Sequence, residues 1–254
     1  MEYKSPFSLE GKNILVTGAS SGIGLNICKA VVASGGKVIG VARREGMLQE
    51  MTNELGFDKA SYIHADLALD EGIAKVVDAM PEVNGVVCAA GIAKMLPLKF
   101  IKRQALEEIL NINYFSIVLL LSQIVRQKKI RKNDNSSIVL ISSVAQQIGT
   151  KSSLLYTGSK AALSAAGRVI ANELSSQKIR VNSIEPGMVQ TAMASEMEDV
   201  VSRESIDKDK EKYPLGYGTA ADVANATVFL LAEASKWMTG QSLTLDGGRY
   251  KLID

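Results

Sequence analysis

Short, uninterrupted apolar runs recur along this chain, and between them lie longer stretches whose apolar residues fall at helical spacing. Asn13-Ile14-Leu15-Val16-Thr17 is apolar and β-branched, and reads as a strand covered on both faces, as in a parallel sheet. Ile27 to Ala33 reads as the helix that follows it. The same alternation predicts strands near residues 13 to 17, 37 to 41, 61 to 64, 85 to 89, 137 to 142, 180 to 184 and 242 to 245, with helices in the intervals. Strand, helix and parallel strand units with right-handed crossovers build an α/β, Rossmann-like, doubly wound parallel sheet of about seven strands with helices on both faces. Ligands of such a sheet bind outside the carboxyl ends of its strands.

Composition narrows this picture without changing it. With 254 residues, 46% of them hydrophobic, the chain has enough apolar material for one large core, so residues 1–254 are expected to form a single domain. Met1 to Glu10 has no apolar signal-like core, and no apolar run reaches the roughly 18 residues that span a bilayer, so the expectation is a cytoplasmic protein with no membrane partner. Cys28 and Cys88 fall in a predicted helix and a predicted strand; they read as small buried hydrophobes, with no disulfide framework and no metal site. A net charge of +2 spread along the chain, without a basic face or an aromatic stacking platform, excludes nucleic-acid binding as the expectation. The one basic cluster, Arg126, Lys128, Lys129, Arg131 and Lys132, ends the helix that begins near Ser116, where cations complement the helix dipole. Met197 to Lys212 is strongly charged and reads as a partly helical excursion outside the core.

Chemistry enters at the strand ends. Thr17-Gly18-Ala19-Ser20-Ser21-Gly22-Ile23-Gly24 lies between the first strand and the first helix. Gly18 permits a tight exit from the strand, Gly22 lets backbone N–H groups approach a pyrophosphate, and Gly24 lets the helix pack close on the strand. The second strand ends in Ala42, where a site preferring NAD would carry an acid for the ribose 2′-hydroxyl. Arg43 and Arg44 follow, and a guanidinium there suits a 2′-phosphate, so the cofactor expected is NADP(H) rather than NAD(H). Asp66, Gly91, Ser143 and Pro186 also fall just past predicted strand ends.

Tyr156 and Lys160 lie one turn apart on a predicted helix from about Ser152 to Ser175, a helix supported by Ala161, Ala162, Ala165 and Ala166. An ammonium on that face is expected to lower the phenol pKa from about 10 and make it useful for proton transfer near neutrality. Ser143 supplies a hydroxyl for a substrate oxygen on which negative charge develops. The only histidine, His64, sits in the apolar stretch Tyr62-Ile63-His64-Ala65, far in sequence from Ser143, and offers no hydrolase triad.

Over nearly its whole length the chain resembles the short-chain dehydrogenases/reductases. The resemblance rests on the Thr17 to Gly24 turn, Asp66-Leu67, Asn113 in Asn111-Ile112-Asn113-Tyr114, Ser143 before Val144, the Tyr156/Lys160 pair, Pro186-Gly187 with Thr191, and Thr239-Gly240-Gln241 through Asp246-Gly247-Gly248. It implies hydride transfer between a nicotinamide cofactor and a carbonyl or secondary alcohol. Tyr156 is then the acid/base, Lys160 its pKa modulator and a ribose ligand, Ser143 the carbonyl-orienting hydroxyl, and Asn113 the support of a proton-relay water. Cofactor contacts are implied for Gly18, Ser20, Ser21, Gly22, Ile23, Gly24, Arg43, Arg44, Asp66, Leu67, Ala90, Gly91, Tyr156, Lys160, Pro186, Gly187, Val189 and Thr191. Where the family commonly has Asn-Asn-Ala-Gly this chain has Cys88-Ala89-Ala90-Gly91, which removes two side-chain amides, and Leu69 to Asn84 is short for the family's third helix.

By the same resemblance, substrate selection falls to residues 188–216, 92–98 and 145–155, with Met188, Met193 and Met197 as an adaptable apolar wall. Reductases of 3-oxoacyl thioesters are well represented in the family, and the Arg126 to Lys132 cluster would then meet an acidic acyl carrier protein. A homotetramer, or a homodimer, is implied through the helix from about Ile101 to Gln127, the Tyr156 helix and the C-terminal strand, burying residues such as Leu119 and Leu120. The reading from another class is a catalytically silent NADP(H)-binding sensor, which would have no physical need for the intact Asn113, Ser143, Tyr156 and Lys160 set.

Overall fold

The computed structural model describes residues 5–191 and 203–250. The strands are β1 (Asn13–Thr17), β2 (Lys37–Ala42), β3 (Ala60–His64), β4 (Gly85–Cys88), β5 (Ser136–Ile141), β6 (Ile179–Pro186), β7 (Val189–Gln190), β8 (Gly218–Thr219) and β9 (Ser242–Leu245). Seven of them form one sheet in the order β3-β2-β1-β4-β5-β6-β9, every pair parallel, while β7 and β8 pair apart from it. The helices are α1 (Gly22–Ala33), α2 (Glu45–Leu55), α3 (Asp70–Ala79), α4 (Arg103–Leu110), α5 (Ser116–Arg126), α6 (Leu154–Leu174), α7 (Arg203–Lys210) and α8 (Ala220–Leu231). This is the doubly wound α/β architecture expected, and the seven strands fall where the apolar runs placed them.

The period of two along β1 shows why its run is apolar throughout. Leu15 points into a core built with α3, α5 and α6, where it joins Val76, Leu120 and Leu163. Ile14 and Val16 point to the opposite face, where they join Ile27, Leu48 and Val223 from α1, α2 and α8. Both cysteines are fully buried, as expected. Because β4 lies beside β1 on the side away from β2, the chain's winding reverses there, and a crevice opens past Thr17 and Cys88, which pair in register.

Three local expectations need correction. The helix expected from about Ile101 to Gln127 is interrupted by a π-helical turn over Asn111–Phe115, between α4 and α5. Leu120 is fully buried in the core, so only Leu119 of the pair, 43% exposed, is open to a second subunit. The run Arg103–Arg126 is long and apolar enough to cross a membrane by length and composition, although its Ile109, Ile117, Leu121 and Ile124 pack into this protein's own interior. The third helix, α3, has 10 residues. The charged excursion does contain a helix, α7, whereas Met193 and Met197 lie outside the described residues.

Arg126 closes the last turn of α5, as expected, whereas the residues after it lie far from the crevice that a carrier protein would have to reach. Ile130 bridges to Val83 and the Arg131 N–H donates to the Val83 carbonyl, which places the cluster at the amino end of β4, the opposite edge of the sheet from the crevice. Lys129 Nζ donates to the Met80 carbonyl at 2.9 Å, and Arg131 lies 3.8 Å from Glu82 and 3.7 Å from Asp134. Lys129 and Arg131 are thus occupied with their own end of the fold, away from the crevice.

Candidate functional site

The turn after β1 is held by its neighbours. Gly18 has φ +71°, and a Cβ there would lie 2.9 Å from the Ala90 nitrogen, so only glycine admits the approach of the β4 loop. Thr17 Oγ1 accepts from the N–H groups of Ala89 and Ala90, both at 3.1 Å. That hydroxyl ties the two strand ends together in a loop that lacks the family's two amides. Arg44 reaches back over the turn, its Nη2 donating to Ser20 Oγ at 2.9 Å and to Ser21 Oγ at 2.6 Å. The Arg43 side chain is exposed, and its carbonyl lies 3.1 Å from His64 Nε2. Asp66 Oδ1 accepts from the Ala68 N–H at 3.0 Å, and Asn111 Nδ2 donates to the Ala68 carbonyl at 3.0 Å. Around these residues is a cavity of about 270 Å³, lined also by Gly22, Ile23, Gly24, Leu67, Ala90 and Gly91.

A second cavity of about 370 Å³ holds Ser143, Tyr156 and Lys160, with Pro186, Gly187, Val189 and Thr191 in its wall. The two cavities share Ile23, Ala89, Gly91, Ile92 and Thr191, and so adjoin. Ser143 begins the 3₁₀ turn Val144–Gln147, and its Oγ accepts from the Ala145 N–H at 3.1 Å. α6 presents Tyr156 and Lys160 on one face, as the spacing predicts. Lys160 Nζ donates to the Ile141 carbonyl at 2.8 Å and stands 5.8 Å from the centre of the Tyr156 ring. Burial lowers the Lys160 pKa to about 8. The Tyr156 phenol is pushed upward by burial, opposed by its hydrogen bond with Ser143, so the expected lowering by Lys160 is not present in this arrangement. The ammonium is directed at a carbonyl rather than at the phenol oxygen, and desolvation dominates.

Asn113 sits in the π-helical turn, fully buried, with its amide committed. Its Oδ1 accepts from the Ile92 N–H at 2.8 Å, and its Nδ2 donates to the Ile92 carbonyl at 2.9 Å and to Ser159 Oγ at 3.0 Å. The side chain therefore clamps the Gly91-Ile92 loop between the two cavities and has no spare donor for a water.

The family model described as enoyl-(acyl carrier protein) reductase matches residues 18–249. A short-chain type dehydrogenase/reductase from Mycobacterium marinum superposes with a TM-score of 0.88 at 27% identity, covering 97% of this chain and 98% of that one. The chain belongs to the short-chain dehydrogenase/reductase family. Among curated relatives, L-xylulose reductase of Caenorhabditis elegans is 33% identical over 251 residues, spanning 95% of this chain and 97% of that protein. The 3-oxoacyl-acyl-carrier-protein reductase of Escherichia coli is 31% identical over 247 residues, spanning 96% and 99%. As a short-chain dehydrogenase/reductase the protein is an oxidoreductase that interconverts carbonyl and alcohol groups on a small molecule, with the NAD(P) cofactors of its family.

In this short-chain dehydrogenase/reductase a further buried network supports the serine turn. Glu185, 1% exposed, accepts from Gln146 Nε2 and, at 3.3 Å, from Ser164 Oγ through one oxygen, and from Gln147 Nε2 through the other. Ser164 shares that one hydroxyl proton with Ser142 Oγ at 2.8 Å, and Ser142 donates to the Lys160 carbonyl at 2.9 Å. Glu185 thus links β6, the turn carrying Ser143 and the helix carrying Lys160. An acid at the end of a predicted strand buried on both faces, directly before Pro186-Gly187, is the sequence signal that would have found it. A carboxylate accepts on both oxygens, whereas an amide turns its NH₂ against one of these donors. Glu185→Gln is therefore expected to cost about 1–3 kcal/mol in denaturant unfolding, with reduced turnover; unchanged stability and rate would show that the carboxylate is dispensable.

Proposed function

We propose that the protein is an NADP(H)-dependent reductase of small-molecule carbonyls, acting through Ser143, Tyr156 and Lys160. The observation that carries this reading is the joining of two cavities, one around the glycine turn and Arg44, the other around the three polar side chains. The first fits a dinucleotide, since at Gly22 nothing lies nearer the Cβ position than Thr191 at 3.6 Å, and the first backbone N–H groups of α1 supply donors for a pyrophosphate. Ser20, Ser21, Gly22, Ile23 and Gly24 would hold the phosphates, and Asp66, Leu67, Ala90 and Gly91 the adenosine side. Pro186, Gly187, Val189, Thr191, Tyr156 and Lys160 would hold the nicotinamide end.

The bound nicotinamide supplies or accepts a hydride. Ser143 Oγ lies 3.5 Å from the Pro186 carbonyl, a weak bond from which its proton can turn to a substrate oxygen beside Tyr156. Tyr156, held protonated by burial, gives its proton to that oxygen as negative charge develops. Lys160, still cationic at neutral pH, stabilises the phenolate left behind. Asn113 and Glu185 position this set.

For the 2′-phosphate, Arg44 is the stronger candidate and Arg43 the second, because Arg44 already lies across Ser20 and Ser21. A solved chain from Beutenbergia cavernae, 29% identical with a TM-score of 0.88, holds NADP at low occupancy. Steady-state oxidation of NADPH and NADH with a panel of ketones, aldehydes, sugars and 3-oxoacyl thioesters tests the reading. Arg44→Ala is expected to raise KM for NADPH by about 10- to 100-fold and to leave KM for NADH nearly unchanged; equal effects on both would sink the NADP assignment. The thioesters belong in the panel because Ile92, Met95, Ile148 and Met188 give the second cavity an apolar lining suited to an acyl chain. A carrier protein would have to approach from the carboxyl edge of the sheet. A homotetramer or homodimer completes the reading, supported by exposed Phe115, Leu119 and Val169 on and beside α5 and α6.

A further inference from the structure

The lining of the second cavity includes four side chains that proton transfer does not use: Asp209, Tyr213, Tyr217 and Arg249. They come from α7, the segment after it and the C-terminal turn. The Tyr213 oxygen accepts from the Met188 N–H at 3.2 Å, and its ring meets that of Tyr217 edge-on at 4.9 Å. Tyr217 donates to Asp209 Oδ2 at 3.1 Å. Arg249 lies over the Tyr213 ring at 5.7 Å, with Nη2 3.7 Å from Asp209 Oδ1 and its side chain only 20% exposed. Its backbone is set by the Asp246 carboxylate, which accepts from the N–H groups of Gly248 at 3.0 Å and Tyr250 at 2.8 Å.

Among the described residues the charges here do not cancel. Asp209 Oδ1 is also 3.6 Å from Lys212 Nζ, so one carboxylate serves two cations. Among the described residues a guanidinium only 20% exposed that shares its one carboxylate with a second cation is suited to receive a further anion. The planar fork of an arginine matches a carboxylate in a bidentate pair, and the Tyr213 ring lies beside this one. An anion held at Arg249 shares its cavity with Ser143 and Tyr156, with apolar Met188 and Ile148 in the same wall.

We propose that Arg249 is a specificity-determining residue that binds a carboxylate on the substrate, so that the preferred substrates are oxo acids, or the matching hydroxy acids, with an apolar body between the two functional groups. This rests on reading the cavity as the site of carbonyl reduction.

The experiment uses the full-length protein with NADPH and a series of straight-chain oxo acids, each paired with its methyl ester. The acid is expected to exceed its ester in kcat/KM by on the order of 10- to 100-fold for at least one chain length. Arg249→Met should bring that ratio close to unity, and Arg249→Lys should keep part of it. Asp209→Asn, which removes the competing carboxylate, should raise the ratio. The same pairs are titrated by calorimetry into the NADP⁺-loaded protein. If nothing is turned over, the reductase reading fails, and tighter, Arg249-dependent binding of the acid still supports the anion subsite while equal binding of acid and ester overturns it. An acid preference that survives Arg249→Met also overturns the assignment.

Discussion

Tyr156→Phe is expected to lower turnover by on the order of 10²–10⁴-fold while leaving NADPH affinity within a small factor of the unsubstituted protein. The phenol projects from α6 into the second cavity, and the substitution removes one oxygen and its hydrogen bond with Ser143, leaving the ring in place. Among the described residues of that cavity the other donors are engaged or weaker: Tyr217 donates to Asp209, and the Tyr213 oxygen is held by the Met188 N–H. Lys160 Nζ is bound to the Ile141 carbonyl, and Ser143, an alcohol, is a far weaker acid than a phenol. Burial raises the Tyr156 pKa, so the phenol stays protonated across the neutral range, and reduction should hold there and fall only at alkaline pH as the proton is lost. NADPH oxidation measured beside a fluorescence titration of NADPH binding separates the two effects. Near-normal turnover in the variant would remove Tyr156 from the chemistry and with it the mechanism proposed above.

Gly24→Ala is expected to abolish useful cofactor binding and to destabilise the fold by about 1–3 kcal/mol. A Cβ at Gly24 would stand 2.2 Å from the Gly18 carbonyl oxygen and 2.6 Å from its carbon, far inside van der Waals contact, and both atoms are backbone. Gly18 has no freedom to retreat. Its φ of +71° and the 2.9 Å approach of Ala90 to its own Cβ position hold it against the β4 loop. Relief therefore requires α1 to move off β1, and that displaces the N–H groups at the start of the helix. Gly158→Ala is the control: it lies in α6 with nothing within 4 Å of the added carbon, and should be neutral or slightly stabilising through helix propensity. Thermal unfolding and an NADPH titration read both variants; a Gly24→Ala protein that binds normally would mean that the turn tolerates a wider helix–strand separation than its contacts imply.

Both predictions concern features readable along the chain, and the features that were not readable share a cause. The π-helical turn at Asn113 cannot be seen from helical periodicity, since Arg103 to Arg126 is one apolar stripe whether or not a residue is inserted. The choice between Arg43 and Arg44 was open because adjacent residues leave a strand end in different directions, and only the position of Ser20 and Ser21 decides which guanidinium covers the turn. The basic cluster had a suitable charge for an acidic partner, yet it lies at the wrong edge of the sheet, a fact that depends on which end of β4 it meets.

The sequence by itself determined the parallel sheet and the chemistry at its ends. Uninterrupted apolar runs require cover on both faces, the spacing of Gly18, Gly22 and Gly24 sets one turn, and Tyr156 and Lys160 share a helix face, all through contacts a few residues apart. Tertiary structure alone decided the orientation of Lys160 toward Ile141, the Glu185 network and the meeting of Asp209, Tyr213 and Arg249 in one cavity wall. Those depend on strand order and on segments distant in sequence, and no local period encodes which distant side chains will be desolvated together.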